Sequence, residues 1–192
     1  MLHDLIARSR SCRRFDESFT VERSTLEELV ELARLSPSAA NLQPLKYILS
    51  ADPETNAAIF PHLAWAGYLK DWPGPAEGER PTAYIVVLGD TEISRNVGCD
   101  HGIAAQSILL GAAEKGLAGC MIGLVARDKL RETLHIPAPY EILLVLALGK
   151  PAEKIVVDPV GEKDDIKYWR DAEGVHHVPK RSLQELIVPL SL

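Results

Sequence analysis

The sequence predicts a single domain of the α+β class. Helix and strand patterns are mixed along the chain without strict alternation, which favours α+β over alternating architectures. The chain has 192 residues, of which 46% are hydrophobic and 25% are charged. This is an ordinary balance for a globular protein, and the length is close to the prior of about 150 residues per domain. We expect one domain over 1–192, with a core over 1–150 and a C-terminal extension over 151–192.

Periodicity and turn residues define the elements of the first half. In order, we expect a helix over 25–35, a strand over 46–50, a helix over 53–60 and a strand over 84–88. The first helix has apolar residues at helical spacing, and Ser24 with Glu27 forms a capping-box pattern at its start. The stretch 67–81 is rich in glycine and proline, so we expect a loop that forms a lid or a pocket wall.

The second half continues the mixed pattern. In order, we expect a helix over 98–115, a strand near 120–123, a helix over 128–134 and a strand over 141–148. The stretch 155–178 is charged and loop-rich, with one candidate strand over 166–169, and a second capping box at Ser182 and Glu185 opens a short terminal helix. Four or five strands are predicted in all. The extension has too little apolar content to form its own core and is typical of a tail that wraps a partner subunit.

Charge and cysteine content exclude several classes of protein. The net charge of −6 argues against general nucleic-acid binding, which needs a basic face. Three cysteines are too few for a disulfide framework and favour the cytoplasm. The segment 1–10 lacks the apolar core of a secretory signal, and the longest apolar stretch, 142–148, is too short to span a membrane.

Four arginines within seven residues form the first candidate site. They are Arg8, Arg10, Arg13 and Arg14. Guanidinium groups bind phosphate oxygens in a bidentate manner, and the hydroxyl of Ser11 adds another donor. The alternatives are a phosphate site and a solvated helix end, and the composition alone leaves both open.

The second candidate is the segment 37–44, which follows the first predicted helix. Its small residues allow close backbone approach, and its Ser, Asn and Gln side chains could bind the polar edge of a planar heterocycle. The same residues are also common in a simple helix-to-strand turn.

Two further segments carry possible chemistry. A strand that ends in glycine at 116–123 exposes backbone N–H groups, although tight helix–strand packing explains it equally well. The segment 176–181 could bring cations to a phosphate. Its paired histidines would point to opposite faces of a strand, so we predict no metal site. Neighbouring residues of a helix do not face one another, and we therefore interpret Cys99, Asp100 and His101 as structural.

No standard nucleotide or hydrolase motif is present. The sequence has neither G-x-G-x-x-G nor G-x-S-x-G, and Leu117 stands where a P-loop requires lysine.

Taken in order along the chain, these motifs resemble the FMN-dependent nitroreductase family. The resemblance rests on the Arg10–Phe15 motif, on the 37–44 segment, on the glycine-ended strand and on Lys180-Arg181. It implies a nitroreductase-like fold with a central, mainly antiparallel sheet flanked by helices, and a homodimer whose C-terminal tails wrap the partner. It also implies two FMN sites at the subunit interface.

The resemblance also assigns cofactor-binding residues. The FMN phosphate would be held by Arg10, Ser11 and Arg13, assisted by Lys180 or Arg181. The flavin ring would be lined by residues of the other subunit, namely Pro37, Ser38, Ala39, Asn41 and Gln43. Flavin N5 would lie at the backbone of Ile122 and Gly123, and Lys70 is a candidate for a further ring contact. No catalytic side chain is assigned.

The implied activity is a ping-pong reaction that transfers a hydride from NAD(P)H through flavin N5 to a nitroaromatic, a quinone or an activated alkene. The alternatives are a flavin enzyme of the same fold with dehalogenating or flavin-consuming chemistry, and a non-enzymatic dimer that binds a phosphorylated ligand. The chain departs from the family at Ala40, where glycine is common, and at Leu45, where tryptophan is common. It also departs at Ala118, Gly119 and Met121, which puts the choice of substrate in doubt more than flavin binding.

Overall fold

The computed structural model describes residues 1–160 and 165–190, and it confirms the α+β class. In chain order the elements are α1 (Leu2–Arg8), α2 (Arg23–Arg34), β1 (Leu45–Ser50), α3 (Pro53–Ile59), β2 (Ala83–Asp90), α4 (Asp100–Glu114), β3 (Ala118–Ile122), α5 (Arg127–Thr133), β4 (Tyr140–Gly149), β5 (Ile155–Pro159), β6 (Trp169–Arg170), β7 (His176–Lys180) and α6 (Leu183–Leu186). The central sheet has the order β1-β2-β4-β3, and every pair in it is antiparallel. This is the predicted antiparallel sheet.

The central sheet is buried on both faces because helices cover each of them. All eight residues of β2 are buried. Successive side chains of a strand point to opposite faces, so Ile85 and Val87 pack with α2 and α4, whereas Tyr84 and Val86 pack with α3 and α5. Strands buried on both faces are apolar throughout, which explains why β2 and β4 were predictable from composition.

The predicted capping box at Ser24 is wrong. The helix α2 begins at Arg23 with Glu22 as its extended N-cap residue, and no side chain caps it. Val21, which precedes the N-cap residue, and Leu26, in the second turn, belong to the same buried cluster. This is the arrangement of a hydrophobic staple, and it fixes the start of the helix two residues earlier than the Ser24 pattern predicts. The second predicted box is confirmed, since the side chains of Ser182 and Glu185 each accept a hydrogen bond from the other's backbone N–H.

The extension contains more strand than predicted. Three strands form a second sheet of order β5-β7-β6, in which β5 is parallel and β6 antiparallel to β7. The candidate strand over 166–169 is displaced to Trp169–Arg170, and the total is seven strands in the described residues rather than four or five. β5 pairs in parallel with β7, about twenty residues away. Such short strands are hard to predict from a sequence pattern, because the strand with which each one pairs lies far away along the chain.

The segment that leads into the second sheet packs against the start of its own chain. The Ala152 N–H donates to the Arg14 carbonyl at 2.9 Å, and Phe15 forms an antiparallel bridge with Pro151. Within the described ranges, no helix has the length and apolar character needed to cross a lipid bilayer.

Candidate functional site

The N-terminal cluster and the end of the second sheet line one cavity. Arg10, Ser11, Arg13 and Lys180 surround a volume of about 340 Å³, together with residues of α4, β3 and the second sheet. Ser11 forms a parallel bridge with Gly119, which places the N-terminal segment along β3, an edge strand. Lys180, the last residue of β7, reaches the cavity from the other side.

The four clustered arginines have different surroundings. Arg8 and Arg14 do not line the cavity. Arg14 instead pairs with Glu79 at 3.3 Å. Arg10 donates to the carbonyls of Ser9 and Ile6 at 2.8 and 2.7 Å, which holds its guanidinium at the end of α1. Two of the four therefore face the cavity, Arg10 and Arg13.

Arg13 is oriented by the extension. Its Nη1 donates to the Ser11 carbonyl at 3.3 Å and lies 3.4 Å from Nε2 of His176. Its guanidinium also lies over the Tyr168 ring, 4.7 Å from the centroid. A guanidinium held on three sides loses less freedom when it binds an anion, so this arrangement pre-organises Arg13.

A buried carboxylate fixes the backbone beneath these groups. Glu153 accepts hydrogen bonds from the N–H groups of Arg13 and Arg14, and its other oxygen pairs with Arg170 at 2.8 Å. The Glu153 side chain is only 1% exposed. Arg170 therefore compensates the negative charge of Glu153, so this charge does not cancel the positive charges that line the cavity.

His176 provides an unpartnered donor beside the cavity. It is completely buried, and burial lowers its pKa to about 4, so the ring is neutral near pH 7. Because Arg13 can only donate, Nε2 is the acceptor and Nδ1 carries the proton. That Nδ1 has no hydrogen-bond partner among the described residues.

The predicted ring-lining segment has an unusual backbone. Ala40, Asn41 and Gln43 have φ angles of +49°, +55° and +53°. Buried Asp100 holds the segment by accepting from Ser38 Oγ at 2.6 Å and from the Ala39 N–H at 3.1 Å. Left-handed residues outside glycine are costly and concentrate at functional sites. The interpretation of Asp100 as structural fits this position.

One chain does not bring the two clusters together. Pro37, Ser38 and Gln43 line a separate groove of about 440 Å³ with residues of α2 and β1, and none of them lines the cavity of Arg13. Ala39 and Asn41 are exposed beside them.

The glycine-ended strand lies along the edge of the first cavity. Met121 lines the cavity, whereas the neighbouring Ile122 side chain is buried in the core. Only the backbone of Ile122 is therefore available at this edge. Gly123 is exposed, and an added Cβ there would meet nothing within 4 Å. Its N–H donates no hydrogen bond within 1–160 and 165–190.

Several residues differ from the sequence-based assignment. Arg181 and Lys70 are exposed and do not line the Arg13 cavity. Glu153 and Tyr168, which position Arg13, were not predicted because no local pattern marks them. The histidine pair does point in opposite directions: His177 lies between Asp158 and Asp171, at 2.7 and 3.1 Å. Across the described part of the chain, no group of three or more His, Cys, Asp or Glu residues could hold a metal ion.

Comparison with known proteins gives one consistent result. The model of a family described as the nitroreductase family matches residues 6–150. A relative from Archaeoglobus fulgidus named "Putative NADH dehydrogenase/NAD(P)H nitroreductase" is 28% identical over 137 residues, covering 67% of this chain and 74% of the relative.

Solved structures share the fold. A nitroreductase family protein from Clostridium novyi NT superposes with a TM-score of 0.65 at 21% identity, covering 96% of this chain and 98% of that one. An FMN-dependent nitroreductase from Clostridium difficile R20291 gives a TM-score of 0.62 at 24% identity, covering 78% and 87%.

Proposed function

Because the chain belongs to the nitroreductase family, we propose that it is an FMN-dependent oxidoreductase that uses NAD(P)H to reduce a small electron acceptor. Nitroaromatics, quinones and activated alkenes are the acceptors we propose. The A. fulgidus relative is named for NAD(P)H, and the C. difficile neighbour is described as FMN-dependent. The observation that carries the proposal is the convergence of Arg10, Ser11, Arg13 and Lys180 on one cavity.

The cavity has the chemistry that a phosphate monoester requires. Three cationic side chains and the hydroxyl-bearing Ser9, Ser11 and Tyr168 line it, and the nearby Glu153 is already paired with Arg170. Guanidinium forks bind phosphate through charge-assisted hydrogen bonds. These residues fit the phosphate end of FMN.

The residues that would surround the ring also fit. The backbone of Gly123 follows the edge strand β3, with open space where a side chain would stand. The 37–43 segment of a second chain would line the ring, because in its own chain this segment lies on a different surface from the Arg13 cavity. A working site thus needs two chains, which supports a homodimer.

The chain's role in the reaction is binding and orientation. When bound, FMN would supply N5, the atom through which a hydride passes from NAD(P)H to the acceptor. Arg13 and Lys180 would hold the phosphate, Gly123 would offer its N–H at the ring, and one face would stay open for both reactants in turn. A ping-pong reaction on one face needs no separate dinucleotide fold, in agreement with the missing G-x-G-x-x-G motif.

We also propose that the tail exchanged between subunits is limited to its final part. Residues 151–160 and 165–180 pack on their own chain, whereas the apolar residues over 183–190 are highly exposed. These are Leu183, Leu186, Ile187, Val188 and Leu190, at 59–87% exposure. An apolar run of this size is expected to be covered by a partner. We keep the proposed division of the chain into a core over 1–150 and an extension over 151–192. Only the final part of the extension would be exchanged between subunits.

Arg13→Ala tests the assignment of the phosphate site. Loss of one charge-assisted hydrogen bond costs about 1.5–3 kcal/mol, which corresponds to a weakening of FMN binding by roughly 10- to 150-fold. Arg8→Ala is the matched control because Arg8 lies outside the cavity. Titration of the apoprotein with FMN, followed by flavin fluorescence, measures both. Equal affinity in Arg13→Ala and wild type would refute the assignment.

A further inference from the structure

A second cavity lies outside the proposed flavin site. It has a volume of about 260 Å³ and lies between α3, the start of β2 and the segment that precedes β2. Its polar lining includes Glu17, Asn56, Arg80, Thr82 and Tyr84. None of the residues assigned to FMN lines it. Its function therefore needs a separate explanation.

Several polar groups around this cavity have no partner. Nε of Arg80 and Oγ1 of Thr82 are buried and form no hydrogen bond within the described residues. The Arg80 guanidinium lies over the Phe60 ring, 4.6 Å from the centroid, and no described acidic group lies within ion-pair distance of it. Burial raises the pKa of Tyr84, so its hydroxyl stays protonated and able to donate.

Most acceptors around the cavity are already used. Glu17 accepts from the N–H groups of Gly78 and Arg80 through one carboxylate oxygen. The Asn56 side chain donates to the Thr82 carbonyl at 2.8 Å and accepts from Ser50 at 2.7 Å. The unpaired groups within the described residues are thus the Arg80 guanidinium, two hydroxyls and the second oxygen of Glu17, and all but the Glu17 oxygen can donate. Donors of this kind need an acceptor, because an unpaired buried polar group is costly.

We propose that this cavity binds a small molecule through its carboxylate group. Arg80 would bind the carboxylate, with the hydroxyls of Thr82 and Tyr84 as further donors. Pro53, Ala57 and Phe60 would contact the apolar part of the molecule. The volume lies below the usual range of about 300–1,000 Å³ for drug-sized ligands, so the ligand is small.

A carboxylate fits this cavity better than a phosphate does. One guanidinium balances a single negative charge, and its planar fork matches the two oxygens of a carboxylate. Glu17 lines the same cavity and would repel a dianion more strongly than a carboxylate, which carries a single charge. The Arg13 cavity, by contrast, offers three cations.

Thermal shift and calorimetric titration of the flavin-loaded protein test the proposal. The probes are propionate, benzoate and alanine at millimolar concentration, with propionamide, benzamide and inorganic phosphate as controls. We expect the carboxylates to raise the Tm of the protein. The amides and phosphate should not bind in this cavity and should leave the Tm unchanged. Propionate and alanine of equal affinity would identify the carboxylate alone as the recognised group, and tighter binding of alanine would identify an amino acid.

Three variants locate the binding. Arg80→Gln and Thr82→Val should each weaken carboxylate binding by about tenfold or more, whereas exposed Arg95→Gln should not change it. Thr82→Val should keep the ligand-free Tm, because the Thr82 hydroxyl has no partner to lose. The proposal is overturned if no carboxylate binds, if the amides bind equally well, or if binding persists in both Arg80→Gln and Thr82→Val.

Discussion

Ala40 carries a backbone conformation that L-amino acids avoid. Its φ of +49° lies in the left-handed region, which costs roughly 1–2 kcal/mol for a residue with a Cβ. This explains physically why glycine is common at this position in the family that the sequence resembles. Ala40→Gly should therefore raise the free energy of unfolding by about 1 kcal/mol. Urea denaturation measures it.

Ala39→Gly is the control for that prediction. Ala39 has a negative φ, so glycine there relieves no strain and adds freedom to the unfolded chain. We expect Ala39→Gly to lower stability slightly. Equal effects of the two substitutions would contradict the account of strain at Ala40.

His177 makes the second sheet sensitive to pH. Hydrogen bonds to Asp171 and Asp158 raise the pKa of His177 above its usual 6.5, and the same contact lowers the pKa of Asp171 below 3.8. The histidine contribution is complete below pH 6.5 and is lost as the pH rises through its folded pKa. The aspartate contribution is present above pH 3.8 and is lost as the pH falls through its own folded pKa.

Hydrogen exchange of the β5 and β7 amides measures this dependence. After correction for intrinsic rates, protection should be lower at pH 9 than at pH 6. His177→Gln removes the titrating group and should remove the difference. A difference that persists in His177→Gln would assign the pH dependence to another group.

The residues of the phosphate cavity were only partly predictable. The arginine cluster is visible in the sequence, but the sequence does not show which arginines face the cavity. That choice depends on Glu79, Glu153 and His176, which lie far along the chain. Contacts at such separation have no local pattern.

At the scale of elements, α2 and α4 pack closely at Gly111. A Cβ at this position would overlap Leu32 and lie 3.0 Å from Leu29. Gly111→Ala should lower the free energy of unfolding by about 1–2 kcal/mol, because overpacking costs about 1–3 kcal/mol and the gain in helix propensity offsets up to about 1 kcal/mol.

Gly102→Ala is the matched control in the same helix. A Cβ there would meet nothing within 4 Å, so we expect unchanged or higher stability. Denaturant unfolding of both variants compares them directly. Destabilisation by Gly102→Ala equal to that by Gly111→Ala would show that close helix packing is not the cause.

The elements predicted correctly are those with strong local patterns. The apolar β2 and β4 and the long α4 were predicted to within a few residues of their observed bounds. α1 was not predicted because it buries no residue. β5 and β7 were not predicted because each pairs with a strand that lies about twenty residues away along the chain. The start of α2 was misplaced because a staple at Val21 and Leu26 prevails over the Ser24 pattern.

At the level of the whole molecule, the residues proposed to bind FMN lie on two different surfaces of each chain. The phosphate half lies at Arg10, Arg13 and Lys180, and the ring half at the segment held by Asp100. No residue of the ring half lines the Arg13 cavity, and no residue of the phosphate half lines the groove of the ring half. We propose that a flavin site consists of the phosphate half of one chain and the ring half of its partner.

The most direct test is the flavin content of mixed dimers. Arg13→Ala damages the phosphate half, and Asp100→Asn damages the ring half by replacing a charged acceptor of Ser38 and Ala39. Each homodimer should hold little FMN. In a dimer with one chain of each kind, purified through two different tags, one site receives both defects and the other none. Our account predicts that this mixed dimer retains half of the wild-type FMN, with wild-type affinity. A mixed dimer as depleted of FMN as either homodimer would contradict it.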